Sequence, residues 1–256
     1  MIRTDLHMHT VYCDGKNTAE EMVRSAIEKG FNCVGISGHS YTHFDESYCM
    51  SRENTERYRH DISWLKRKYS KKINLLCGIE QDYYSDEPTD GYDYVIGSVH
   101  YLIIGDEYIP VDENAEILRN AAEKHCDGDI YKLCELYFET VSDVVNRTNC
   151  SIIGHFDLIT KFNEKEKLFD ESNPRYVAAW KKALDKLLET GKIFEINTGA
   201  VSRGYRTLPY PSSEIIDYIK QNGGKLILSS DAHSAENIGF DFDKYEKYID
   251  DVMLEL

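Results

Sequence analysis

Six of the nine histidines close short apolar runs of the kind that form β-strands. They are His7 and His9 in IRTDLHMHT, His39 in CVGISGHS, His100 in YVIGSVHY, His155 in SIIGHFD and His233 in LILSSDAH. Glu80, ending INLLCGIE, and Asp231 occupy the same kind of place. Imidazoles and carboxylates delivered to one rim by many strands are the donor set of a polynuclear site for Zn, Mn or Fe. His7 and His9 are two apart, so on an extended chain both point to one face and can share an ion. Asp14 follows in TVYCDG and adds a carboxylate just past that strand.

The elements that must carry these residues are legible as alternation. Seven apolar runs lie near 2–6, 32–37, 73–79, 93–99, 151–154, 192–197 and 224–230, with helical periodicity filling most gaps. Thr18-Ala-Glu-Glu21 reads as a capping box opening a helix that stops at Gly30. Ser51 opens a long charged helix to about Tyr69. Residues 129–148 show Leu133, Leu136, Tyr137 and Val141 on one face. Residues 173–190 form a helix stopped at Gly191, and Ser212 opens another ended by Gly223-Gly224. Strand alternating with helix predicts a parallel sheet covered by helices. Ligands at every strand end predict a closed or distorted barrel, since an open doubly wound sheet gathers its site at one crevice. The polar stretches 40–50 and 101–128 read as rim loops of one domain over residues 1–256.

These pieces also resemble a known family. DLHMHT at 5–10, Asp14-Gly15, GHS at 38–40, GIE at 78–80, GSVH at 97–100, GHFD at 154–157 and SSDAH at 229–233 together resemble the PHP (polymerase and histidinol phosphatase) superfamily, in particular its histidinol-phosphatase type. The resemblance implies an α/β, distorted (β/α)7 TIM-like barrel with three divalent metal ions. It implies one ion on His7, His9, Glu80 and Asp231, with Glu80 bridging to a second on His100 and His155. A third falls to Asp14, His39 and His233. Water between two such cations becomes a hydroxide nucleophile near neutral pH. Glu80, Asp231 and His233 are the expected catalytic groups. The proton for the leaving alkoxide could come from His233, Asp231 or a metal-bound water, or from Asp157 or His43 farther out. For Asp157 the simpler reading is a hydrogen bond to a ligand histidine.

A phosphate ester also needs fixed positive charge. EINTGAVSRGYRTLPYP (195–211) carries Arg203 and Arg206 among glycines, and Lys161 follows GHFDLIT. Arginine offers a bidentate fork to phosphate oxygens, which puts Arg203 first, then Lys161, with Arg206 beside them. Asn197 ends the strand before them and could orient ligands or a loop. His43, with Asp45 and Glu46 in the loop YTHFDESYCM, is placed to meet an amine or imidazole substrate.

The resemblance therefore implies phosphomonoester hydrolysis, with L-histidinol phosphate as the expected substrate in histidine biosynthesis. Another small phosphate ester, a nucleotide or a phosphotyrosine protein is the alternative within the class. A non-catalytic metal-binding module would lack ligands, yet every matched position is filled. Amidohydrolase-type barrels share the HxH start but bridge their metals with a carboxylated lysine, where this chain has Glu80. The net charge of −15, from 45 acidic and 30 basic residues, argues against a nucleic-acid partner. The seven cysteines form no CxxC pair and read as reduced thiols, with Cys13 a neighbour of the site. No signal-type or membrane-spanning apolar run is visible, so a cytoplasmic location is expected, with the oligomeric state open.

Overall fold

The computed structural model describes residues 3–249. Its strands are β1 (Thr4–Asp5), β2 (Cys33–Ile36), β3 (Asn74–Asp82), β4 (Tyr94–Ser98), β5 (Tyr101–Ile104), β6 (Glu107–Pro110), β7 (Ile152–Ile153), β8 (Ile193–Asn197) and β9 (Lys225–Ser229). Seven of them form one parallel sheet in the order β1-β2-β3-β4-β7-β8-β9, while β5 and β6 pair as a separate antiparallel hairpin. The sheet curls until its edges meet: His9 N donates to Ala232 O at 2.9 Å and Ala232 N to His7 O at 3.2 Å. The result is the expected distorted seven-stranded barrel, nearly closed. All seven predicted strands are present. The third runs on to Asp82, because its pairing with β4 continues from Gly78–Tyr94 to Asp82–Ser98.

Tyr94 fills the barrel interior. It clusters with Leu6, Ile96, Ile152 and Ile227, and its hydroxyl donates across to Leu6 O at 2.5 Å. Only glycine fits beside this ring. A Cβ on Gly35 would stand 2.1 Å from the Tyr94 hydroxyl, and one on Gly78 2.2 Å from the ring. The interior beneath the site is thus solid, as in other barrels of this kind.

The helices are α1 (Ala19–Glu28), α2 (Arg52–Tyr69), α3 (Ala115–His125), α4 (Ile130–Val141), α5 (Val144–Thr148), the short α6 (Asn163–Glu166), α7 (Pro174–Leu188), the short α8 (Gly199–Ser202) and α9 (Ser213–Gln221), followed by a short turn near the C-terminus. The capping box at Thr18 forms in both directions, and Ser51 caps α2 by accepting from Asn54 N. The apolar faces of α4 and α7 pack with the outer faces of the strands in the main core.

Two expectations are corrected here. Residues 129–148 form two helices, α4 and α5, broken at Ser142-Asp143. The segment 101–128 is no open loop. It holds the β5–β6 hairpin, turned at Gly105 with φ +63°, and then α3, whose N-cap Asn114 accepts from Ile117 N at 2.9 Å. A polar composition concealed both the two-residue period of YLII and YIP and the helical period of AEILRNAAEKH.

Candidate metal centre

The six strand-end histidines converge at the carboxyl rim of the barrel, around Glu80. Its Oε2 lies 3.2 Å from His7 Nε2, 3.5 Å from His9 Nε2 and 2.9 Å from His39 Nδ1. Its Oε1 lies 3.3 Å from His100 Nε2 and 3.0 Å from His155 Nε2. Asp231 Oδ1 is 3.1 Å from His9 Nε2, and Asp14 Oδ2 is 3.0 Å from His233 Nε2. Three compact sets of donors result: His7, His9 and Glu80; His39, Glu80 and His100; and His9, Asp14, His39 and His233. His9 and His39 each belong to two of them, so the clusters overlap more than the resemblance implied.

The chemistry of these donors fits divalent cations. His7 Nε2, His9 Nε2 and Glu80 Oε2 are buried without a hydrogen-bond partner, an arrangement that is costly unless something positive binds there. Burial, with His233 and His39 nearby, pushes His9 down to about 3, so its imidazole is neutral and its lone pair is available. Burial alone would raise Glu80, but the imidazoles of His7, His39 and His100 outweigh it and hold the carboxylate well below its usual range. Against burial, the neighbouring carboxylates raise His7, His39 and His100 above the usual imidazole range, so a cation bound here would take the place of the protons those rings otherwise hold.

Two further carboxylates aim the imidazoles. Glu195 Oε2 lies 2.9 Å from His7 Nδ1, and its other oxygen accepts from His155 N at 2.7 Å and Asn197 Nδ2 at 2.8 Å. Asp82 Oδ2 lies 3.2 Å from His100 Nδ1. Such partners fix the tautomer that leaves Nε2 facing the centre. Sequence reasoning missed both. Asp82 stands two residues after Glu80 on one strand and Glu195 two before Asn197, a period that places each pair on one face.

A pocket of about 330 Å³ opens over the centre. Arg203 enters it from the C-cap of α8, donating to Asp231 O at 2.8 Å and to Asp231 Oδ2 at 3.1 Å, beside His233. Lys161 enters from the turn after β7, with its Nζ 3.0 Å from Asp112 and 4.9 Å from the Tyr205 ring. The opposite wall is made by the rim: Asp45, Tyr48, Tyr101 and Glu113. Tyr101 donates to Asp45 at 2.5 Å, and Phe44 stacks on Tyr108 at 3.9 Å, so the loop before α2 is latched to the hairpin.

Three expectations fail here. Arg206 does not line the pocket. It is 5% exposed, donates to Thr160 Oγ1 and Glu164 and lies 4.8 Å from the centre of the Tyr210 ring, because the turn after α8 folds it into the body. His43 also lies outside the pocket, edge-on to Phe44, since its loop is latched with that face outward. Asp157 meets no ligand histidine. Its Oδ2 accepts from Ser212 N at 3.0 Å, and burial raises its pKa to about 6 against the pull of Arg206. Cys13 Sγ, as expected, lies 3.6 Å from His9 Nδ1, and all seven cysteines are free.

Comparison with known proteins decides the family. The model of the PHP domain matches residues 5–199. The chain belongs to the PHP domain family. Asp231 and His233 lie beyond the matched stretch and are brought to this PHP site by β9. The chain is 28% identical to histidinol-phosphatase of Bacillus subtilis, over 96% of its own length and 98% of the relative's. It is 27% identical to a Schizosaccharomyces pombe protein named probable histidinol-phosphatase, covering 95% and 85%. Among solved structures, the fold is similar to that of a Listeria monocytogenes chain, with TM-score 0.80, 18% identity and coverage of 95% and 100%. It is also similar to histidinol phosphate phosphatase from Lactococcus lactis, solved with zinc, L-histidinol and phosphate, with TM-score 0.72, 21% identity and coverage of 97% and 92%.

Proposed function

We propose that this chain is a metal-dependent phosphomonoesterase that hydrolyses L-histidinol phosphate to L-histidinol and phosphate. It would act as a single catalytic unit in the cytoplasm, on a small molecule and without a nucleic-acid partner. The observation that carries the reading is the shared pocket: Glu80 on its floor, adjoining the buried orphan donors of His7 and His9, and the cations Arg203 and Lys161 on its walls. The names of the relatives supply the substrate.

Three divalent ions are assigned to the site, of Zn, Mn or Fe type. His7, His9, Glu80 and Asp231 hold the first, Glu80, His100 and His155 the second, and Asp14, His39 and His233 the third, with His9 and His39 at the boundaries. Bound there, such ions acidify coordinated water and neutralise phosphate charge. The chain's own residues do the rest. Glu80 offers one oxygen to each half of the cluster. Glu195 and Asp82 hold His7 and His100 in the tautomer that presents Nε2. Arg203 and Lys161 meet the phosphate oxygens, with Asp112 steadying the lysine and Asp231 the arginine. The rim wall excludes water and receives the organic group.

The test is phosphate release by the metal-reconstituted protein from L-histidinol phosphate, beside nucleotides, sugar phosphates and phosphotyrosine. Preference for histidinol phosphate by about two decades or more in kcat/KM is expected, since that ratio reads differential transition-state binding. Weak release from every ester would discard the substrate and keep the phosphoesterase.

A further inference from the structure

Glu195 and Asp231 both serve the centre, one through His7 and the other directly, and they meet at one neutral side chain. Asn197 stands two residues after Glu195 on β8, so the two side chains share a face. It is fully buried. Its Oδ1 accepts from Gly199 N at 2.9 Å, which fixes the amide and turns Nδ2 to the carboxylates. Nδ2 donates to Glu195 Oε1 at 2.8 Å and to Asp231 Oδ2 at 3.4 Å. Both amide hydrogens are thus spent on groups of like charge that come from different strands.

Asp231 needs such a hold. Its backbone is left-handed, with φ +46°, a conformation that persists in a non-glycine residue only where its surroundings impose it. The turn after β8 supplies those surroundings. Gly199 leaves room for the carboxylate, since a Cβ there would stand 2.7 Å from Asp231 Oδ2. Arg203 donates to Asp231 O and shares Oδ2 with Asn197. Oδ1 is left for the centre, 3.1 Å from His9 Nε2 and 3.7 Å from His7 Nε2. In the proposed reaction Arg203 also has a phosphate to meet. Asn197, buried outside the pocket lining, has no second task.

We propose that Asn197 is a positioning residue of the metal centre. By bonding Glu195 and Asp231 at once, it keeps His7 aimed and Asp231 Oδ1 turned toward His7 and His9 while an ester engages Arg203. The role rests on the metal centre proposed above and not on the identity of the ester. The competing role is local: Oδ1 alone would shape the turn into α8 through Gly199 N. The backbone of Asn197 is held in either case, by its paired hydrogen bonds with Tyr210.

The experiment measures zinc affinity, by competition with a chromophoric chelator, and the visible absorption of bound Co2+. It compares the whole chain with Asn197→Asp and Asn197→Ser. Both variants keep an oxygen able to accept from Gly199 N. Aspartate brings no donor to the carboxylates, and serine is too short to reach both. In Asn197→Ser the tightest-held zinc should bind about tenfold to hundredfold more weakly, the usual effect of losing a partner behind metal ligands. The Co2+ spectrum should change in both variants, because it follows ligand geometry. Parental affinity and spectrum in the folded variants would overturn the role and leave the centre standing. A parent chain that takes up no metal would overturn the centre and this role with it. Should one variant fail to fold, as read by urea denaturation, the other decides alone.

Discussion

The pocket over the centre has two walls of different origin. One is made of strand ends, where the donors other than Asp14 and His233 are buried and carboxylate partners fix His7 and His100. The other is made of the loop before α2 and the β5–β6 hairpin, joined by the Tyr101–Asp45 hydrogen bond and the Phe44–Tyr108 stack. The barrel wall carries the groups that any phosphate ester would need. The rim wall carries tyrosines and acids that can only meet what is attached to the phosphate. Chemistry and selection are thus built on separate pieces of chain, and substitutions should separate them.

The largest effect belongs to the barrel wall. His9→Ala removes a donor shared by two clusters, so turnover should fall to background together with metal content, measured by elemental analysis beside the kinetics. Normal metal content would undo the grouping of ligands. Arg203→Ala comes next. It should lower kcat/KM by about 100-fold for all esters alike, on the scale of a lost bidentate contact to charge, with metal retained. Unchanged kinetics would retire its role toward phosphate. On the rim, Tyr101→Phe unlatches one hydrogen bond, worth about 1 kcal/mol. The expected result is a few-fold loss for histidinol phosphate and none for a minimal aryl phosphate. An equal loss for both would erase the distinction between the walls.

The smallest effect on catalysis, and a measurable one on stability, is expected at Asp157. Its folded-state pKa of about 6 exceeds the ordinary 3.8, so the native state holds this proton more tightly than the unfolded chain. That contribution is full below pH 3.8 and is lost as pH rises through about 6, a change of about 3 kcal/mol. Asp157→Asn should therefore gain stability relative to the parent between pH 4 and 7, as read by urea denaturation. Parallel pH profiles would show that the carboxyl is ionised throughout.

The same division explains what the sequence made legible. His7, His39, His100, His155 and His233 end apolar runs, and a parallel strand's end has one destination, so local pattern sufficed to assemble them. The rim has no such rule. The hairpin and α3 were hidden because their solvent-facing residues dilute the apolar period. Arg203 and Arg206 are three residues apart in one turn that holds Gly204, and only the tertiary contacts of Arg206 with Thr160, Glu164 and the Tyr210 ring leave Arg203 as the one that reaches the pocket. Asp157 follows a ligand histidine by two, yet β7 ends at Ile153 and the chain turns at once, so strand alternation no longer applies.

The Tyr94 plug has a consequence for traffic. With the barrel floor sealed by that ring, against glycines that admit nothing larger, the pocket has no rear exit. Whatever enters phosphate-first must be cleaved with its organic half toward the mouth. The alcohol is then first out and the phosphate last, so the order of departure follows from a tyrosine that never touches either.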